Sequence, residues 1–165
     1  MDFSTDGKYI AVGTDRREVV VIDVATQDIC WNRHFGNMLG LIGAQFISNI
    51  HWSPNGEWLG FMVGRGMFWP AVVEASDGDV VCGNLFLGGQ GDGSLKDFSW
   101  TRDNRMLCTW GRVFVLDVET EKQTQLSPDW DERHLLLADG KNWVGYASHK
   151  LSAVNLKTGK VQWVQ

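Results

Sequence analysis

Apolar and polar positions along the chain fall into a unit that recurs four times. It consists of a polar turn, an apolar run, a second apolar run ending in an acid or amide, a further short turn and a final strand. The clearest copies run from Val20 to Trp31 and from Ala153 to Trp163. In both, a polar residue (Asp23, Asn155) is followed three positions on by Thr and eight positions on by Trp. A unit of this size cannot bury its apolar faces alone and must stack on its neighbours.

The first turns align as Ser4 to Lys8, Ser53 to Glu57, Thr101 to Arg105 and Ala138 to Lys141. They are tight hairpin turns, because Asp and Asn tolerate positive φ and Gly adopts it without a Cβ clash. A short strand precedes each turn (1–3, 50–52, 98–100, 135–137) and a longer one follows (9–12, 58–63, 106–110, 143–147). Third strands follow (18–24, 67–74, 112–118, 151–156), and several are near-continuous apolar runs, the pattern of a strand covered on both faces. A second turn then starts at Asp23, Glu74, Asp117 and Asn155, and a fourth strand closes each unit (28–31, 79–82, 122–126, 160–164). Four strands, four times, predict an all-β chain: a β-propeller of four four-stranded antiparallel blades, at about 1–33, 48–84, 96–126 and 134–165 of one segment, 1–165. A β-sandwich or barrel is the second choice. Surplus length falls between units, at 34–46 and in the Gly-rich 85–95.

At the Asp/Asn, Gly and Trp positions the chain resembles the propeller repeats of the quinoprotein and WD-repeat-like superfamily, whose tryptophan-docking form runs Ala-x-Asp-x-x-x-Gly-x-x-x-Trp. Ala153, Asn155, Gly159 and Trp163 fit it with Asn for Asp, and Asp23 and Trp31 fit it with Gln27 at the Gly position. Glu74, Gly78 and Cys82, then Asp117, Glu121 and Gln125, are weaker copies. The resemblance implies that Trp31 and Trp163 pack between neighbouring blades and that Asp23 and Asp117 pin local turns. These are scaffold roles rather than catalytic ones. Each unit begins with its first strand and ends with its fourth, so the chain is expected to be a small four-bladed ring or four blades of a larger or dimeric propeller.

Composition narrows the function. With 44% hydrophobic and 21% charged residues the chain is ordinary globular protein, and its net charge of -5 argues against nucleic-acid binding through phosphate contacts. Cys30, Cys82 and Cys108 show no metal-ligand spacing and read as small buried hydrophobes. No apolar run reaches the ~20 residues that span a bilayer, and the first residues lack signal-peptide character. A cytoplasmic location and no membrane partner are the expectation.

A basic group marks the turn between second and third strands of every unit: Arg16 and Arg17, Arg65, Arg112, and His149 beside Lys150. On one face of a propeller these would form a partial ring of positive charge for an anionic partner. Trp52, Trp100 and Trp143 repeat and read as core, whereas Trp69 and Trp130 break the repeat near turns or loops and read as exposed anchors. The Gly88 to Ser94 stretch lacks the Lys-Ser/Thr ending of a phosphate loop. The four His residues have no zinc spacing, and no nucleophile arrangement stands out. No catalytic, cofactor-binding or metal residue is assigned, and no cofactor is expected. The expected function is a non-catalytic interaction module that binds a protein or peptide on the inter-blade loop face through Arg16, Arg17, Arg65, Trp69, Arg112, Trp130 and His149. A homodimer or additional blades would complete its ring. The alternative is a propeller enzyme or a sugar or quinone binder with a central-channel site.

Overall fold

Among the described residues every regular element is a β-strand, and the strands pair into four four-stranded antiparallel sheets with the orders β1-β2-β3-β4, β5-β6-β7-β8, β9-β10-β11-β12 and β13-β14-β15-β16. The computed structural model describes residues 1–35, 46–65, 67–82, 97–109, 113–127, 134–135, 142–147, 150–156, 158 and 160–164. The first sheet comprises β1 (Asp2–Phe3), β2 (Tyr9–Gly13), β3 (Glu18–Asp23) and β4 (Ile29–His34). The second comprises β5 (Phe46–Trp52), β6 (Trp58–Arg65), β7 (Met67–Glu74) and β8 (Val80–Cys82). The third comprises β9 (Asp97–Trp100), β10 (Met106–Thr109), β11 (Val113–Leu116) and β12 (Gln123–Ser127), and the fourth β13 (His134–Leu135), β14 (Asn142–Ala147), β15 (Lys150–Asn155) and β16 (Val161–Val164). The chain divides into two compact units, Met1–Gly89 and Gln90–Gln165, with two sheets in each.

The first turns close through one repeated device. Ser4 Oγ donates to Asp6 Oδ1 (2.7 Å) and accepts from the Tyr9 N–H (2.9 Å); Ser53 Oγ does the same with Asn55 (2.6 Å) and Trp58 (2.9 Å). Thr101 repeats it with Asp103 and the Arg105 N–H, one residue sooner. Gly7 (φ 71°), Gly56 (φ 76°) and Asn104 (φ 58°) take the left-handed position that lets each N–H return to the Ser or Thr carbonyl. The aligned turn at 138–141 lies outside the described residues.

The second turns are equally alike. Asp23 Oδ1 accepts from the Ala25 and Thr26 N–H groups (2.8 and 2.9 Å), Asp117 Oδ1 from the Thr120 N–H and hydroxyl (2.9 and 2.7 Å), and Asn155 Oδ1 from the Thr158 N–H (3.0 Å). Glu74 is too long for this geometry, and its turn closes through the backbone, Gly78 N–H to Glu74 carbonyl at 2.9 Å. Just before these turns, third and fourth strands slip by one residue: Val21 faces Trp31 while Ile22 faces Ile29, and Ala153 faces Trp163 while Val154 faces Val161. Such a bulge adds an unpaired residue. In the first sheet this residue is Cys30, which is exposed, so the expectation of three buried cysteines holds only for Cys82 and Cys108.

In the first unit the core lies between the two sheets. Ala11, Val19, Val21 and Phe35 meet Leu59, Phe61, Val63, Ala71 and Val73, with Phe35 and Phe61 rings tilted at 5.0 Å. The sheets approach so closely at Gly13 that a Cβ there would stand 2.6 Å from Ile47 Cγ2. In the second unit Leu107, Val113 and Val115 pack on Val154 and Leu156. The opposite face of the first sheet carries Phe3, Ile10, Val12, Val20, Ile22 and Ile29; Phe3 and Ile29 are 55% and 62% exposed and the others half-buried. Its third strand is therefore well covered on one face only, unlike the expectation from its apolar run.

Candidate functional site

The seam between the first two sheets ends in an open cleft of about 930 Å³ at the level of the Ser4 to Lys8 and Ser53 to Glu57 turns. Tyr9, Trp31, Trp52 and Trp58 contribute its aromatic lining, and Thr5, Asn55 and Ser76 part of its polar lining. Strand pairing dictates this aromatic wall. Tyr9 opens β2 on the side that faces the second sheet, and Trp52 closes β5 opposite it, so that their rings stack at 6.4 Å with an interplanar angle of 25°. Asp2 holds Trp52 from the neighbouring sheet, accepting the Trp52 backbone N–H at its Oδ2 (3.0 Å) and the indole N–H at its carbonyl (3.2 Å).

Trp31 closes the other side. Its indole N–H donates to the Ala75 carbonyl (2.9 Å), and Arg33, two residues on and on the same face, donates to the Asp77 carbonyl (3.0 Å) and pairs with Asp79 (2.8 Å). Gly78 lets the ring in: a Cβ there would stand 2.8 Å from Trp31 Cζ3. At the rim, the Ser4 hydroxyl first, then the Lys8 N–H and ammonium, lower the Asp6 carboxyl to about 2, so it is ionised at neutral pH. Thr120 lowers Asp117, through its hydroxyl first and then its N–H.

Arg16 and Arg17 sit in the β2–β3 turn, at the other end of the first sheet from this cleft. Arg16 is exposed and Arg17 half-buried at φ 68°, and among the described residues neither forms an ion pair. Arg65 is the last residue of β6. Trp69 lies within β7, the third strand expected at 67–74, half-buried and opposite Val63. Arg112, Trp130 and His149 lie outside the described residues. Trp52 and Trp100 are buried, as their repeat implies. Among the described residues no group of three or more His, Cys, Asp or Glu is placed to hold a metal. The cleft itself escaped sequence reasoning, although the Ser-x-Asp/Asn-Gly turns that form its rim and the aromatics one residue before or five after each Ser were visible signals.

No family model and no curated protein matches the chain. Solved structures do. Dihydro-heme d1 dehydrogenase NirN superposes with a TM-score of 0.73 at 13% identity, over 99% of this chain and 35% of its own. The β-propeller domain of Cps50 (Swd1) from Myceliophteria thermophila gives 0.68 at 14%, over 99% and 55%. BamB from Moraxella catarrhalis gives 0.64 at 15%, over 99% and 48%. The chain thus spans between about a third and about half of the structures it matches. Their likeness to the chain extends to architecture alone. Repeated sheets, turns and seam contacts together with these neighbours make the chain an array of β-propeller blades.

Proposed function

We propose that the chain is a non-catalytic propeller module that binds a protein or peptide segment, and that a homodimer or additional blades complete its ring. The observation that carries the binding role is the 930 Å³ cleft, where stacked aromatic rings stand beside turn hydroxyls and amides on rigid strand ends. Aromatic anchors within a polar rim are the usual makeup of a protein-recognition surface.

A displayed random-peptide library tests this. Selected peptides should lose binding in Thr5→Arg and Ser76→Arg, which crowd the cleft from exposed positions, and keep it in Arg16→Glu/Arg17→Glu. Peptides indifferent to Thr5→Arg and Ser76→Arg would sink the cleft reading. The reverse pattern would favour a second reading, an anionic partner at the β2–β3 turn, which rests on the guanidiniums of Arg16 and Arg17, neither of them in an ion pair among the described residues.

A further inference from the structure

We infer that the segment received by the cleft of the first two sheets is basic, with an arginine side chain entering among its aromatic and acidic lining. This rests on reading the cleft as a peptide site and names the chemistry of the peptide.

Charge sets the first condition. Asp6, Glu57 and Glu74 all belong to the lining, and among the described residues no Lys, Arg or His does. Two neighbouring bases are already engaged: Lys8 pairs with Asp6 (3.1 Å) and Arg33 with Asp79 (2.8 Å). Lys8 offsets the Asp6 charge, which leaves two carboxylates. Among the described residues neither Glu57 nor Glu74 enters an ion pair. Glu57 is exposed and steadied by the Asn55 amide, which donates to its Oε2 (2.5 Å), and Glu74 is half-buried at the end of β7. A cleft lined by one sign of charge between low-dielectric walls concentrates its field and selects a partner of the opposite sign.

The rings set the second condition. Tyr9 and Trp31 line the cleft half-buried, so each keeps part of its ring open, and Trp52 backs Tyr9 by stacking on it. Both indole N–H groups are already given to carbonyls, Trp31 to Ala75 and Trp52 to Asp2. An indole has no other donor, so what these side chains still offer a ligand is ring surface, which attracts a cation. Arginine meets both conditions in one side chain: its flat guanidinium stacks on a ring while its N–H fork donates to carboxylates. An apolar segment would leave the acids without a counter-charge in a partly enclosed cleft, and an acidic one would be repelled.

Fluorescence anisotropy on the whole chain tests this with a pair of labelled Gly-Ser peptides, one carrying arginines and the other citrulline in their place, which keeps the shape without the charge. The arginine peptide should bind, and the citrulline peptide should bind roughly tenfold more weakly or not at all. Glu57→Gln/Glu74→Gln should weaken the arginine peptide by a similar factor with unchanged circular dichroism. Asp15→Asn/Glu119→Gln removes as much charge from exposed positions outside the lining and should weaken it far less. Equal affinity for both peptides, no binding of either, or an arginine peptide indifferent to Glu57→Gln/Glu74→Gln would overturn the inference. A loss of equal size in Asp15→Asn/Glu119→Gln would also overturn it, as general attraction to an acidic chain. Failure here is separable from failure of the cleft. Library peptides that lack arginine yet lose binding in Thr5→Arg and Ser76→Arg would keep the cleft and discard its basic partner, whereas peptides indifferent to those two variants would discard the cleft.

Discussion

The Trp31 indole N–H lies 2.9 Å from the Ala75 carbonyl, joining the outer strand of one blade to the turn of the next. Removing the donor while keeping a ring, as in Trp31→Phe, should cost about 1 kcal/mol. Urea unfolding of the variant measures this directly. No loss would mean that the ring alone holds the seam.

Gly78 and Glu121 occupy the same position of the second turn, both with left-handed backbone. Gly78→Ala places a Cβ 2.8 Å from Trp31 Cζ3 at φ 79°, and should destabilise by ~1–2 kcal/mol or more. Glu121 has the left-handed backbone (φ 55°) without being Gly, so Glu121→Gly should stabilise by ~0.5–1 kcal/mol. Thermal melts of both variants should move in opposite directions.

Ser53 is fully buried and its hydroxyl serves two bonds, to Asn55 and from the Trp58 N–H. Ser53→Ala removes this acceptor from a buried N–H and should cost about 1–3 kcal/mol. Ser53→Thr, the residue found at 101, should retain most of the stability in the same unfolding assay.

Acid should weaken the turns in a defined window. A carboxyl whose value falls on folding adds stability that is complete above its unfolded value and vanishes as pH drops through the folded one. For Asp6 the window runs from 3.8 down to about 2. Ser4→Ala removes the largest cause and should raise the Asp6 midpoint toward 3.8 in a carboxyl NMR titration. A midpoint left at about 2 would show that Lys8 suffices.

The strands and both turn families were legible because each depends on local chemistry: Ser, Asp and Asn bonding to amides within five residues, and apolar runs between them. The same alternation left the covering of each face unread, since Val20 and Val21 look alike in sequence while only Val21 faces the second sheet. Cys30 was misread for a related reason, as a bulge residue looks like part of the run it interrupts. The cleft depends on contacts more than forty residues apart, such as Trp31 with Ala75, which no local pattern records.

Three long-range contacts of the first seam end on main-chain oxygens: Trp31 on Ala75, Trp52 on Asp2 and Arg33 on Asp77. A carbonyl is present whatever side chain stands beside it, so Ala75, Asp2 and Asp77 can change their side chains while the donor stays in register, although Gly78 must stay small to admit the ring. Superposition over 99% of the chain at only 13–15% identity is compatible with such a joint. At such a joint the course of a backbone matters more than which residue lies along it.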